Sequence, residues 1–118
     1  MSNGLHVDRN GDLVIAQGAD TGGRAVVRRN LANGALSVVA ASHQGRRFNS
    51  PNDVTSDAQG RIYFTDSRFF GTEPMELPNS VYRVDAAGKI TELKTGLERP
   101  NGIEVSPDGR TLYTRPRT

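Results

Sequence analysis

Apolar and polar residues alternate along most of this 118-residue chain, in short stretches separated by glycine-rich turns. At the start, Leu5 and Val7 alternate with His6 and Asp8, a period of two that is typical of a half-buried strand. The first four such stretches span residues 2–8, 13–16, 25–29 and 36–41. Because tight turns separate them, they predict one four-stranded antiparallel sheet, and helical periodicity is absent throughout.

The unit then returns at a fixed interval. Asparagine recurs with equal spacing at Asn3, Asn52 and Asn101, and glycine recurs with the same spacing at Gly11, Gly60 and Gly109. Two independent markers with one interval indicate an internal repeat. The second set of strands is predicted at residues 52–56, 61–65, 80–84 and 90–94.

The later strands of the second unit need a larger offset. Gly34 matches Gly88 and Val27 matches Val81, and both pairs are further apart than the repeated asparagines, which places five extra residues in the loop 66–79. A loop of this length, with Phe69 and Phe70, is either functional or a surface excursion held by its aromatic rings.

A third unit begins near Pro100. Ile103 and Val105 continue the pattern of Leu5 and Val7, and a second strand is predicted at 112–114 before a proline-containing tail that we expect to end the sheet. Repeated four-stranded units of this length predict an all-β fold, a fragment of a β-propeller, with one blade over 2–45, another over 46–98 and the start of a further blade over 99–118. A β-sandwich would not explain the constant spacing of the asparagines and glycines.

Composition narrows the functional classes. The chain has 15 Lys and Arg against 13 Asp and Glu, interleaved, so no nucleic-acid surface is expected. No apolar run approaches the roughly 20 residues of a membrane span, so no membrane partner is expected either. It has no cysteine, which excludes disulfides and thiolate metal sites. The compartment remains undetermined, and nothing in the sequence separates a cytoplasmic from an exported protein.

The repeated asparagines suggest two readings. Equivalent positions of successive blades ring the propeller axis, and a ring of amide oxygens with a few carboxylates suits a hard cation such as Ca²⁺. Alternatively, these asparagines only make the turn into each strand. His6 and His43 are interpreted as surface residues, and 20–23 is not a phosphate loop because no helix and no lysine follow.

Two motifs resemble the SMP-30/gluconolactonase/luciferin-regenerating family. The first is Phe-Asn-Ser-Pro-Asn-Asp-Val at 48–54, followed by Gly-Arg-Ile-Tyr-Phe-Thr-Asp at 60–66. The second is Leu-Glu-Arg-Pro-Asn-Gly-Ile at 97–103, followed by Ser-Pro-Asp-Gly-Arg-Thr-Leu-Tyr at 106–113. Their order and spacing agree with the family, and related NHL-type propellers share parts of each.

The resemblance implies a six-bladed propeller with a divalent metal, Ca²⁺ being the favoured ion, and hydrolysis of small-molecule lactones. It makes Asn101 and Asn52 metal ligands, and Asn52 and Asp53 substrate-binding residues. Asn49 offers a second register for this motif and ranks below Asn52, while Asn3 lies where the family does not usually place a ligand.

The chain also departs from the family. The metal-binding Glu and the general-base Asp of the family lie in blades outside this sequence, so we expect no catalytic residue here and weak or absent metal binding. The function expected is therefore a fragment of a metal-dependent lactone hydrolase, inactive on its own. The alternative is a non-enzymatic NHL-like module that binds a ligand or a protein. Its partners would be the remaining blades of the propeller or further copies of itself.

Overall fold

The computed structural model describes residues 2–18, 23–68, 74–95 and 100–116, and every regular element in these ranges is a strand. The strands are β1 (Ser2–Val7), β2 (Leu13–Gln17), β3 (Ala25–Arg29), β4 (Leu36–Ala40), β5 (Ser42–His43), β6 (Arg46–Arg47), β7 (Pro51–Ser56), β8 (Ile62–Asp66), β9 (Ser80–Val84), β10 (Ile90–Thr95), β11 (Pro100–Val105) and β12 (Leu112–Pro116). The part of the chain that the structure describes contains no helix able to cross a membrane.

The strands form successive antiparallel sheets in chain order. The first sheet has the order β1-β2-β3-β4, the second has β7-β8-β9-β10, and the third consists of β11 and β12. The predicted strands are confirmed to within two residues at most ends. The short hairpin of β5 and β6 between the first two sheets was not predicted.

The first and second sheets pack face to face around aromatic residues. The fully buried rings of Phe48, Phe64 and Tyr82 lie with their centroids 5.1 to 5.4 Å apart. Small apolar residues of the first sheet, including Val14 and Val26, complete this core. The large rings of the second unit thus pack against small aliphatic side chains of the first sheet.

The third sheet packs on the opposite side of the second through a smaller cluster. Tyr63 and Val81 of the second sheet contact Ile103, and Val105 and Leu112 border them. Each unit therefore covers one face of the unit before it.

Strand pairing corrects the alignment of the third strand of the second unit. Ile15 pairs with Val27 in the first sheet, and Phe64, which takes the place of Ile15 in the repeat, pairs with Tyr82 in the second. Val27 thus corresponds to Tyr82, and the match to Val81 was wrong by one position. The turn between the third and fourth strands explains the error, because it spans 30–35 in the first unit and only 85–89 in the second. Because the second turn is one residue shorter, Gly88 still corresponds to Gly34, as the sequence indicated. Both glycines have positive φ.

The alternation predicted that the apolar side of β1 is buried, but in the structure this side is exposed. Leu5 and Val7 are each 58% exposed, whereas the equivalent residues Val54 and Ile103 are 3% and 6% exposed. Val54 and Ile103 are covered by the preceding sheet, but no described residue packs on this side of β1.

The two histidines and the tail lie in strands. His6 is half-buried, and its Nε2 is 2.7 Å from Ser56 Oγ of the next unit. His43, interpreted as a surface residue, is half-buried in β5 and makes an edge contact with the Tyr82 ring. Pro116 pairs with Pro100 at the end of β12, so the strand continues past Thr114. The predictions for Phe69, Phe70 and 20–22 concern residues outside the described ranges.

Candidate functional site

The innermost strand of each sheet has an irregular register close to its repeated asparagine. The pairing shifts between Ser2 and Leu5 in β1, between Pro51 and Val54 in β7, and between Pro100 and Gly102 in β11. A bulge of this kind bends the strand and redirects the side chains at its start. The asparagine positions are thereby set apart from the regular pleat of each sheet.

Asn52 and Asn101 meet across the second and third sheets. Both are half-buried, and the Nδ2 of Asn52 donates a hydrogen bond to the Oδ1 of Asn101. The Oδ1 of Asn52 accepts no hydrogen bond from the residues that the structure describes. The structure therefore brings together the two residues that the resemblance names as metal ligands, while the side chain of Asn3 is outside the described part.

Asp53, in the second unit, contacts both the first and the third unit. Its Oδ2 accepts a hydrogen bond from the Ile103 N–H at 2.9 Å. Its Oδ1 faces Gly4, where an added Cβ would come within 2.7 Å of this oxygen. Because Gly4 and Gly102 stand at the equivalent positions of the other units, this place in the repeat carries a carboxylate only once.

The end of β8 supports both asparagine segments, which sequence reasoning missed. Thr65 Oγ1 accepts from the Asp53 N–H at 3.1 Å and donates to the Asn101 carbonyl at 2.8 Å. Ser67 Oγ donates to the Pro100 carbonyl. Thr65, Asp66 and Ser67 are all fully buried.

Asp66 holds the loop that leads into β7. Its two carboxylate oxygens accept from the backbone N–H groups of Asn49 and Ser50 at 2.8 and 2.7 Å. Burial raises the pKa of Asp66 to about 6, against the opposing effect of these two donors and of Arg24. Arg24 also donates through Nε to the Phe48 and Asn49 carbonyls, so the loop is held from two sides.

Asn49 has a different environment from Asn52. It is buried, and its Nδ2 donates to the Leu77 carbonyl at 3.0 Å. Its Oδ1 is buried without a partner among the described residues. The Asn49 amide is therefore bonded to the segment before β9, away from the pair formed by Asn52 and Asn101.

The ligand set suits a hard cation in type but is short in number. Two amides and the Asp53 carboxylate offer oxygen atoms, whereas Ca²⁺ takes about six to eight oxygen ligands. Among the described residues, no group of three or more His, Cys, Asp and Glu could hold a metal ion. These residues can supply part of a Ca²⁺ site and no more.

Repeated four-stranded antiparallel sheets, each packed on the next with its innermost strand carrying the shared asparagine, define a β-propeller-type protein. The model of the SMP-30/Gluconolactonase/LRE-like region matches residues 1–116. The chain belongs to this family.

Individual relatives agree with this assignment. The Gluconolactonase of Zymomonas mobilis subsp. mobilis is 36% identical over 95% of this chain and 32% of its own length. Lactonase drp35 of Staphylococcus epidermidis is 34% identical over 57% of this chain and 20% of its own length. A solved gluconolactonase from Xanthomonas campestris has a TM-score of 0.84 and 32% identity, over 98% of this chain and 40% of that structure. The chain thus spans well under half the length of these relatives.

Proposed function

We propose that this chain is part of a metal-dependent lactone hydrolase of the gluconolactonase type, with Ca²⁺ as the favoured ion. The observation that carries the proposal is the contact between the Asn52 and Asn101 amides, beside the Asp53 carboxylate. Family membership and the lactonase names of the relatives supply the reaction class.

Each of the three residues has a role in this proposal. Asn101 and Asn52 hold the cation through their amide oxygens, and Asn52 and Asp53 bind the hydroxyl groups of a small-molecule lactone. A bound divalent cation would supply Lewis acidity toward the lactone carbonyl. Thr65 and Ser67 fix the backbone on which the two asparagines stand. We assign no general base to this chain.

The chain alone should bind Ca²⁺ weakly, because two neutral amides and one carboxylate give little charge to offset a dication. Isothermal titration of the isolated chain with CaCl₂ should give a dissociation constant of about 1 mM or higher. This affinity is weaker than that of Ca²⁺ sensor sites. Micromolar binding that is lost in Asn101→Ala would contradict this expectation and would show that the missing carboxylates are not essential for a Ca²⁺ site.

A chimera tests the enzymatic part of the proposal. Residues 1–116 would replace the matching segment of the Zymomonas mobilis gluconolactonase, and gluconolactone hydrolysis would be followed in a pH-stat with added Ca²⁺ or EDTA. We expect an active chimera that loses at least about 100-fold in kcat/KM, roughly 2.7 kcal/mol, in Asn52→Ala or Asn101→Ala. Asn10→Ala, an exposed turn residue, is the matched control.

A non-enzymatic propeller module is the second candidate. One observation favours it, since the Asp53 carboxylate and the Asn52 amide are already used in hydrogen bonds between units. A folded chimera without lactonase activity, or one whose activity is unchanged in both asparagine variants, would favour this candidate over the hydrolase.

A further inference from the structure

A cleft of about 300 Å³ lies between the second and third sheets, at the end of β11 and β12 opposite to Asn101. Its walls include three guanidinium groups, and none of its nine lining residues is acidic. The polar lining residues are Arg61, Tyr63, Arg83, Arg110 and Thr111. The cleft is near the lower end of the volume range of small-molecule sites, about 300 to 1,000 Å³.

Arg83 lacks the partner that its position has in the first unit. Arg83 pairs with Tyr63 across β9 and β8, as Arg28 pairs with Val14 across β3 and β2. Arg28 forms an ion pair with Asp8 at 3.2 Å. The Nε of Arg83, in contrast, is buried without any hydrogen-bond partner among the described residues.

The equivalent carboxylate in the second unit is occupied by other groups. Asp57, which takes the place of Asp8 in the repeat, accepts from the Arg61 Nε at 2.6 Å and from the Tyr63 hydroxyl at 2.9 Å. Arg61 has therefore taken the place of Arg83 as the partner of this carboxylate. A buried N–H donor without a partner is rare in folded proteins and costs free energy.

The cleft has more guanidinium groups than carboxylates paired with them. Asp57 balances Arg61, but neither Arg83 nor Arg110 forms an ion pair with a described carboxylate. Burial and the bond to Asp57 raise the pKa of Tyr63, and the charges of Arg61 and Arg83 oppose that rise, so both guanidinium groups act on the same phenol.

We propose that this cleft binds a small oxyanion, a phosphate or carboxylate group, through the guanidinium of Arg83. The planar guanidinium suits such a ligand because it donates two parallel N–H groups to two oxygen atoms. Arg110 adds charge at the rim, and the Thr111 hydroxyl offers a further donor. The site is separate from the asparagine pair and does not depend on lactone hydrolysis.

The test is a titration of the ¹⁵N-labelled chain with inorganic phosphate, acetate or chloride at constant ionic strength. The Arg83 Nε–H signal and the amide signals of Gly109 and Thr111 are the readouts. We expect a saturable shift with phosphate or acetate, with a dissociation constant of about 1 mM, and none with chloride. The tighter of the two oxyanions identifies the ligand as phosphate or carboxylate.

Variants decide whether the binding is specific. Arg83→Met should weaken binding by at least about tenfold, and Arg83→Lys, which keeps the charge but not the planar donors, by an intermediate factor. Arg47→Met removes the same charge from an exposed site outside the cleft and should leave binding unchanged. Loss of binding in all three variants, unchanged binding in Arg83→Met, or no saturable shift in the wild type would overturn the proposal. Circular dichroism spectra of the variants should match that of the wild type, which separates a loss of binding from a loss of the fold.

Discussion

At the scale of single residues, Gly4 and Asp53 share one narrow space between the first two units. A Cβ on Gly4 would lie 2.7 Å from Asp53 Oδ1 and 2.8 Å from both the Asn52 carbonyl oxygen and the Asp53 Cα. Two of these three atoms belong to the backbone and cannot rotate away. Glycine at position 4 is therefore required by the close approach of the β7 backbone at residues 52 and 53, to which the Asp53 carboxylate adds one further contact.

Gly4→Ala should destabilise the chain by about 1 to 3 kcal/mol, because the added methyl group forces the two innermost strands apart. Gly102→Ala is the matched control at the equivalent position, where the nearest atoms are Cγ and Cδ of Arg115 at 3.1 and 3.3 Å. Since the Arg115 side chain can move, its cost should stay below about 1 kcal/mol. Urea unfolding measures both, and equal costs would show that the close approach of residues 52 and 53 does not require glycine at position 4.

Asp66 should give the chain an unusual dependence of stability on pH. Its pKa in the folded state is about 6, above the ordinary value of 3.8, so the folded state binds more protons between these values than the unfolded state. The contribution of this group to the free energy of unfolding is therefore greatest below about pH 4 and falls as pH rises to about 6. The loss is on the order of 3 kcal/mol.

Denaturant unfolding at several pH values, in the wild type and in Asp66→Asn, measures this effect. The variant should lose the decline between about pH 4 and 6, whatever its absolute stability. Asp57 is a control of opposite sign. Although burial acts to raise its pKa, hydrogen bonds from Arg61 and Tyr63 lower it overall, so its contribution is lost as pH falls. An unchanged slope in Asp66→Asn would contradict the assignment of the decline to Asp66.

At the scale of elements, the end of β8 connects the second and third units. Thr65 is hydrogen-bonded to Asp53 in β7 and to Asn101 in β11, and Ser67 is hydrogen-bonded to Pro100 in β11. These are polar residues in the centre of the molecule, where each buried hydrogen bond also removes the penalty of an unpaired group. This strand end therefore determines the distance between the two asparagines.

Thr65→Val should leave the Asp53 N–H and the Asn101 carbonyl without their shared partner, at a cost of about 1 to 3 kcal/mol. Amide hydrogen exchange should become faster at Asp53, because this N–H donates directly to the missing hydroxyl. Thr114→Val, an exposed strand position, controls for the change in side chain. Unaltered exchange at Asp53 in Thr65→Val would mean that the strand pairing alone protects this amide.

The strands themselves could be predicted from the sequence, because alternation and turn residues are local signals. The constant interval of the repeat also predicted that Asn52 and Asn101 occupy equivalent places, and the structure brings them into contact. The third strand was aligned one position wrong, because the offset of Gly34 and Gly88, which holds for the fourth strand, was carried back across turns of different length.

The support of the site could not be foreseen from local patterns. Thr65 and Asn101 are far apart in the chain, as are Asp66 and Asn49, so no short motif records either contact. A Thr-Asp-Ser run at a strand end has the composition of an ordinary turn. The exposure of Leu5 was missed for a related reason, since alternation identifies an apolar side but not what covers it.

At the scale of the whole molecule, the two outer strands of the first sheet expose apolar side chains. Leu5, Ile15, Val27 and Val38 are paired in one row across its four strands, and the two outer members, Leu5 and Val38, are 58% and 66% exposed. The equivalent row of the second sheet contains Val54, Phe64 and Tyr82, which are buried against the first sheet. The same row is thus buried at Val54, Phe64 and Tyr82 in the second unit, whereas in the first unit its two outer members are exposed.

Because exposed apolar faces of this kind promote association, the chain should self-associate through the first sheet. Sedimentation velocity should show a sedimentation coefficient that increases with protein concentration in the wild type. The Leu5→Ser/Val38→Ser double variant removes two apolar side chains that are more than half exposed, and it should remain monomeric over the same range. Met75→Ser/Tyr113→Ser removes exposed apolar residues of a loop and of β12, and it should associate like the wild type. Association that persists in the first variant and disappears in the second would place the contact at the third sheet, and further copies would then add at the opposite end of the molecule.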